Sequence, residues 1–369
     1  MTTFATLDGT LKYAARFASR AAAGHFRERQ GLHFSSIGIG TYLGEADAAT
    51  DRAYTDATVA AVESGANVID TAINYRFQRS ERSVGAALHE LLQRGYARDE
   101  LLICSKGGFL TPDSDLPADA NEYFQNEYVA TGILGEGDVA AGCHSMAPKF
   151  LADQLERSRR NLGVETVDVY YLHNPETQLG EVPREMFAGR VRAAFEFLES
   201  AVAAAKIHYY GMATWNAFRL PENAPEGLSI EKMESLARDV AGGSHHFRFV
   251  QLPCNLGMTE ALTRAGQKLD GRLVPVVEAA SRLGITLMAS APLLQGKLTR
   301  GLPAFVSEAF GLSSDAERAL QFARSTPGIT TALAGMSRVE HVRANLKLVA
   351  VPPASREQFS KLFQRGEKV

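Results

Sequence analysis

The sequence predicts an α/β fold, a (β/α)8 TIM barrel, and three observations carry the prediction. Short apolar runs alternate with helical patterns along the chain, there are eight such runs, and no stretch rich in Pro, Gly or Ser marks a boundary between two domains. Strands this uniformly apolar are buried on both faces, as in a parallel sheet covered by helices. With 369 residues, 45% hydrophobic and 22% charged, the chain is long enough to build one such barrel with a full core.

The expected strands are Ile37–Thr41, Val68–Thr71, Leu101–Ser105, Val167–Leu172, His208–Met212, Phe249–Pro253, Thr286–Ser290 and Thr330–Ala334. Between them, single apolar stripes at helical spacing place helices at Asp56–Glu63, Ser83–Gln93, Pro148–Asn161, Arg190–Ala205, Ile230–Val240, Leu273–Arg282, Ala316–Ser325 and Val339–Leu348. Ahead of the first strand, Phe26–Arg29 and Leu32–Phe34 flank Gln30 and Gly31, which reads as a hairpin suited to plug the bottom of the barrel. The stretch from Lys12 to Arg29 holds five Lys or Arg against Glu28 alone; an amphipathic helix packed on the fold explains it better than a targeting signal.

A net charge of −3, spread along the chain, gives no electrostatic footprint for nucleic acid or an anionic membrane, so small-molecule partners are expected. Cys104, Cys143 and Cys254 are too few and too scattered for a disulfide framework or a metal clip, which fits a reducing, cytoplasmic location. Cys143 and His144 have no second pair at metal spacing and read as a loop before a helix capped by Ser145; His245 and His246 read as a turn. No apolar run is as long as a membrane span. The run from Gly38 to Gly44 approaches a dinucleotide-binding fingerprint, but its third glycine is one place late and no helix starts where a pyrophosphate would need one.

In a barrel of this kind, functional groups collect where strands end at the C-terminal face. Asp70 ends the second expected strand, Lys106 follows the third and His173 follows the fourth, with Tyr75 in the loop just past Asp70. These strands are neighbours, so the four side chains should converge. A tyrosine has a pKa near 10, and a nearby ammonium favours its phenolate. Lys106 can supply that charge, Asp70 can hold Lys106 protonated, and His173 can donate a hydrogen bond to a substrate oxygen. Such a set polarises and protonates a carbonyl, and hydride must then come from a bound cofactor.

The residues from Gly65 to Ala72 with Tyr75, Ser80, Glu81 and Gly85, the segment Leu101–Gly107, and Val167–His173 together resemble the signatures of the aldo-keto reductase superfamily, in the family's order. Gly31 and Leu32, Ile37–Thr41 and Ala291 to Leu293 match further family positions. The resemblance implies a barrel that binds NADPH, or less often NADH, in an extended pose. It implies that Tyr75 is the general acid in carbonyl reduction and the base in alcohol oxidation, assisted by Lys106, Asp70 and His173. It implies cofactor contacts from Thr41, Thr214 and Gln251 near the nicotinamide. Ser290, Ala291, Pro292, Leu293 and Gln295 would lie around the pyrophosphate, and Gly335, Ser337, His341 and Asn345 around the adenosine phosphate end.

Three positions depart from the family pattern. Ala213, Thr214 and Trp215 stand where Ser-Asn is common, leaving Thr214 alone to replace the carboxamide hydrogen bonds. Ser290 stands where an aromatic ring often stacks on the nicotinamide, with Trp215 as a candidate substitute. The adenosine end lacks the usual Lys and Arg, although Arg338 and Arg343 are close in sequence and modestly favour NADP over NAD. Arg76, next to Tyr75, reads as either a surface residue or a substrate contact.

The chain 1–369 thus reads as a single barrel domain, with 1–35 as an N-terminal extension and 107–148 as a long acidic active-site loop. That loop has no Lys or Arg but carries seven acids together with Phe109, Tyr123, Phe124 and Tyr128. It is expected either to form a lid that disfavours anionic substrates or to pack its aromatics on the barrel rim. The expected function is NADP(H)-dependent reduction of an aldehyde or ketone, or oxidation of the corresponding alcohol. The alternatives are a cofactor-binding regulatory subunit of low turnover and a barrel lyase or isomerase; no metal site is expected.

Overall fold

The computed structural model describes residues 2–363. Eight parallel strands, Ile37–Gly40, Val68–Asp70, Leu102–Gly107, Val167–His173, Ile207–Ala213, Phe247–Pro253, Thr286–Ser290 and Ile329–Gly335, close into a barrel in sequence order. The last strand pairs with the first, Ala332 opposite Ile37 and Gly335 opposite Gly40. All eight expected strands are present, with boundaries shifted by one or two residues.

The helices follow the expected order, and the differences lie at their ends. The helix expected at Asp56–Glu63 begins at Ala48, because Asp47 caps it by accepting the Thr50 amide at 2.7 Å. The helix Pro148–Leu162 begins after Ala147 rather than on a Ser145 cap; the Ser145 hydroxyl instead accepts the Ala147 amide at 3.1 Å. Several pieces have no counterpart in the sequence reading, among them the helix Ala304–Phe310 and the hairpin Gln267–Leu269 with Arg272–Val274, whose second strand takes Leu273 and Val274 and delays the helix expected at Leu273–Arg282 to Val276. The hairpin carried a readable signal. Asp270 and Gly271 both have positive φ, 49° and 77°, as a two-residue Asp-Gly turn requires.

Strand periodicity separates two cores. Side chains facing outward, such as Ile69, Ile103, Tyr170 and Leu172, pack under the helices in the larger cluster, whereas Val68, Leu102, Cys104, Val169, Tyr171, Phe249, Met288 and Leu333 fill the barrel interior. Gly38 belongs to this interior and not to a phosphate loop, since a Cβ there would lie 2.8 Å from the Val68 carbonyl oxygen. The hairpin Phe26–Arg29 with Leu32–Ser35 seals the bottom, inserting buried Leu32 and Phe34 among the interior side chains. Asn67 anchors it: its amide nitrogen donates to the His33 carbonyl at 2.8 Å and its Oδ1 accepts the Ser35 amide at 2.8 Å.

Of the basic stretch Lys12–Arg29 only Lys12–Arg16 is helical, as the last part of a helix Leu7–Arg16 docked on the fold, and its end Phe26–Arg29 is a strand. Tyr13 donates to the Val62 carbonyl at 2.6 Å and Arg16 forks onto Glu100 at 2.7 and 2.8 Å. Among the described residues no helix is long and apolar enough to cross a membrane and no cluster could hold a metal ion; Cys104, Cys143 and Cys254 are free.

Candidate active site

Counting by twos along the strands fixes which residues reach the mouth of the barrel. Val68 and Asp70 face inward, as do Leu102, Cys104 and Lys106, and Val169, Tyr171 and His173; the last of each series lies at the C-terminal end. Lys106, fully buried, donates from Nζ to Asp70 Oδ2 at 2.7 Å and to the Thr71 carbonyl at 2.8 Å. Asp70 Oδ1 accepts Gln251 Nε2 at 2.7 Å, so the carboxylate bridges the second and sixth barrel strands. Lys106 Nζ stands 4.9 Å from the centre of the Tyr75 ring, and the His173 ring meets the Tyr75 ring nearly edge-on at 5.7 Å. The four residues expected to converge do so.

Their electrostatics divide the labour. Burial pulls the Lys106 pKa down, but the Asp70 carboxylate and the Tyr75 phenol outweigh it and hold the ammonium above its ordinary value. Burial raises the Tyr75 pKa, opposed mainly by Lys106, so the group is a protonated phenol near neutrality. Burial, with Lys106 adding to it, drives the His173 pKa well below the ordinary histidine value, leaving a neutral ring. A neutral donor beside a phenol whose ionisation is eased by an ammonium can deliver a proton to an oxygen without placing a second cation in the site.

These groups open onto a cleft of about 800 Å3. Of the expected site residues, Asp70, Tyr75 and His173 line it, together with Thr41, Thr214, Gln251, Ser290, Ala291, Pro292, Leu293, Gln295, Gly335, Ser337, His341 and Asn345. Lys106 touches Asp70 from beneath without lining the cleft. Arg338 and Arg343 are exposed and do not line it. The turn after Ser290 is held open by positive φ at Ala291, Leu294 and Gln295, and Asn255 ties it down by donating to the Ala291 carbonyl at 2.9 Å. Thr214 Oγ1 and His173 Nδ1 are buried with no hydrogen-bond partner among the described residues, which marks polar positions ready for a ligand.

The sequence reading missed several lining residues, Tyr42, Leu43, Asn74 and Asn174, and named Phe109 only as one aromatic of the acidic segment. It also missed Glu176, whose Oε1 accepts the Trp215 and Asn216 amides at 2.6 and 3.1 Å and so orients the loop that carries Thr214 and Trp215. An acid three residues past a strand-end histidine was the available signal.

Of the two readings of the acidic segment 107–148, the packed one matches the structure. Only Phe109 lines the cleft; Tyr128 and Leu134 pack on Phe150 of the following helix, with Tyr123 and Phe124 against them. Asp113 pairs with Arg82 at 2.7 Å, Glu127 with Arg157, and Asp119 caps a short helix, so these acids are spent on the scaffold. Arg76 is corrected: it is 7% exposed, neither a surface residue nor a lining one.

Comparison with known proteins agrees with this geometry. The model of the Aldo/keto reductase family matches residues 36–302. A Schizosaccharomyces pombe protein described as a putative voltage-gated potassium channel subunit beta is 25% identical over 88% of this chain and 87% of its own length. The aldo-keto reductase YhdN of Bacillus subtilis is 26% identical over 48% of this chain and 49% of its own. Among solved structures, an aldo/keto reductase from Klebsiella pneumoniae in complex with NADP and acetate superposes with a TM-score of 0.61 at 21% identity, covering 94% of this chain and 98% of that one. The glycerol dehydrogenase AKR11B4 of Gluconobacter oxydans gives 0.61 at 19% identity, covering 91% and 93%. With its family match spanning most of the barrel, this chain belongs to the aldo/keto reductase family.

Proposed function

We propose that the protein reduces an aldehyde or ketone with NADPH, or runs the reverse oxidation with NADP+, and that Tyr75 is the proton donor and acceptor. The observation that carries this reading is the buried Lys106–Asp70 pair set against Tyr75, with His173 beside it, on a cleft of about 800 Å3. The residues fit the cofactor. Thr214 Oγ1 offers an unspent hydroxyl that would hold the nicotinamide carboxamide with Gln251, the 290–296 turn would hold the pyrophosphate, and Ser337, His341 and Asn345 would hold the adenosine end. A bound NADPH supplies the hydride.

The protein's own residues then have defined tasks. The substrate oxygen lies between the Tyr75 phenol and the His173 ring; His173, held neutral by burial, donates a hydrogen bond and orients it. Tyr75 gives up its proton as negative charge builds on that oxygen, and Lys106 stabilises the phenolate left behind. Asp70 keeps Lys106 charged, and Gln251 keeps Asp70 in place. In the oxidising direction the same phenolate takes the alcohol proton.

NADP is favoured over NAD by Arg338 and Arg343, which are exposed, lie close in sequence to His341 and Asn345, and could meet a 2′-phosphate. A second reading, a cofactor-binding subunit of low turnover, draws on the likeness to the protein described as a channel beta subunit. Titration with NADPH followed by a carbonyl panel separates the possibilities. Binding with turnover that Tyr75→Phe abolishes while cofactor affinity holds supports the reductase. Binding without turnover supports the subunit, and no binding refutes both in favour of a lyase or isomerase.

A further inference from the structure

Tyr75 is followed by three consecutive residues in the left-handed region, Arg76, Phe77 and Gln78, with φ of 49°, 56° and 70°. None is glycine. In this region the Cβ of an L-residue crowds the following carbonyl oxygen, so three in succession persist only where the surroundings over-determine the turn. The turn delivers Tyr75 to the cleft and then enters the helix Arg79–Gln93, whose N-cap Gln78 makes no side-chain cap bond.

The guanidinium of Arg76 supplies the constraint. Its Nη1 pairs with Asp51 at 2.8 Å on the helix Ala48–Glu63 and reaches the Glu45 carbonyl at 3.3 Å. Nε and Nη2 donate to the hydroxyls of Ser80 and Ser83, each at 3.0 Å, and the guanidinium carbon lies 4.9 Å from the centre of the Tyr54 ring. Two of these partners lead back to the cleft. Tyr54 donates to the Leu43 carbonyl at 2.5 Å and Ser80 to the Thr41 carbonyl at 2.8 Å, which fixes the loop carrying Tyr42, whose ring meets that of Tyr75 at 5.0 Å. Asp51 also binds Arg79 at 2.7 Å, so the Arg76 charge is countered locally and its reach to Tyr75 is through the backbone.

We propose that Arg76 is a positioning residue for Tyr75: its clamp holds the left-handed turn and thereby sets the phenol against Lys106 and His173. The proposal rests on Tyr75 being the acid/base of the reaction. Arg76→Met keeps the apolar stem and loses every donor, Arg76→Gly relieves the backbone and loses the anchor, and Arg76→Lys keeps the charge.

The measurements are kcat, KM, NADPH affinity and the pH profile of kcat. In Arg76→Met and Arg76→Gly, kcat should fall by about 10–100-fold, the scale of an ångström-sized misplacement, while NADPH affinity stays within about threefold. The pH limb due to Tyr75 should move to higher pH as the phenol leaves Lys106, and Arg76→Lys should recover part of kcat. Wild-type kcat and pH profile in Arg76→Met, or equal losses in kcat and cofactor affinity, overturn the proposal. Should Arg76→Met fail to fold, Asp51→Asn loosens the same clamp and must give the same signature in smaller measure; a wild-type profile there overturns it equally. A wild-type protein that reduces no carbonyl refutes the reductase reading and leaves this one to a crystal structure of Arg76→Met or, should that variant not fold, of Asp51→Asn. There the Tyr75 ring should have left its place over Lys106, and an unmoved ring is the contrary result.

Discussion

Replacing Lys106 by methionine isolates the electrostatic part of the proposed chemistry. The ammonium stands 4.9 Å from the centre of the Tyr75 ring, and at an effective dielectric constant of about 20 that separation corresponds to about 3 kcal/mol of attraction for a phenolate. At about 1.4 kcal/mol per factor of ten, losing it lowers the phenolate population at a fixed mildly alkaline pH by about 100-fold. Part of this returns as water and neighbouring dipoles rearrange into the space the ammonium leaves, so a loss of about 10–100-fold in alcohol oxidation is expected. Reduction should suffer less at neutral pH, since it starts from the phenol, which stays protonated. The assay is the pH dependence of kcat in both directions. NADPH affinity, read by nicotinamide fluorescence, should hold, because Lys106 does not line the cleft. Equal losses in both directions with an unshifted pH profile are the contrary result and would mean that Lys106 serves only to hold the fold.

Burial lowers the pKa of both His25 and His144 from 6.5 to about 4, so the unfolded chain binds more protons between those values and stability falls as pH drops through that window. Each ring withdraws about 2 kcal/mol by about pH 5; a Tm that does not fall between neutral pH and pH 5, or that falls equally in a His25→Gln, His144→Gln variant, contradicts this. Phe34→Ala empties the barrel plug and should cost about 3–5 kcal/mol in urea unfolding; a cost under about 1 kcal/mol would mean the hairpin is dispensable. Thr214→Val should weaken NADPH binding by about fivefold, the worth of one hydrogen bond of about 1 kcal/mol, and unchanged affinity would remove Thr214 from the nicotinamide contacts. Neither Lys nor Arg lines the cleft, while Tyr42, Leu43, Phe109 and Trp215 do, so neutral aldehydes should be turned over faster than carboxylated ones of the same shape; the reverse order would point to a cation the cleft does not display.

Much of the candidate site was legible because a parallel strand is an apolar run with a fixed two-residue repeat. Once Val68–Asp70 and its neighbours are placed, repeat and order bring Asp70, Lys106 and His173 to one rim, and a loop of five residues brings Tyr75. The residues whose place escaped notice are held by contacts remote in sequence. Phe109 reaches the cleft beside His173, with a ring separation of 5.1 Å, because Gln154, 45 residues away, accepts the Gly108 amide and donates to the Phe109 carbonyl. The sequence left the acidic segment open between a lid and a loop packed on the rim for a related reason: Asp113 and Glu127 find Arg82 and Arg157, and nothing local announces those partners.

The barrel, its strand order, the sealing hairpin and the group of residues that meet at its mouth follow from hydrophobic period and chain order, which are local properties. What Arg76 does depends on the folded chain. Beside Tyr75 in the chain it is a charged residue in a loop, free to face solvent or substrate. In the fold it turns away from both, because Asp51, Ser80, Ser83 and Tyr54 together satisfy a buried guanidinium that no single neighbour in sequence could.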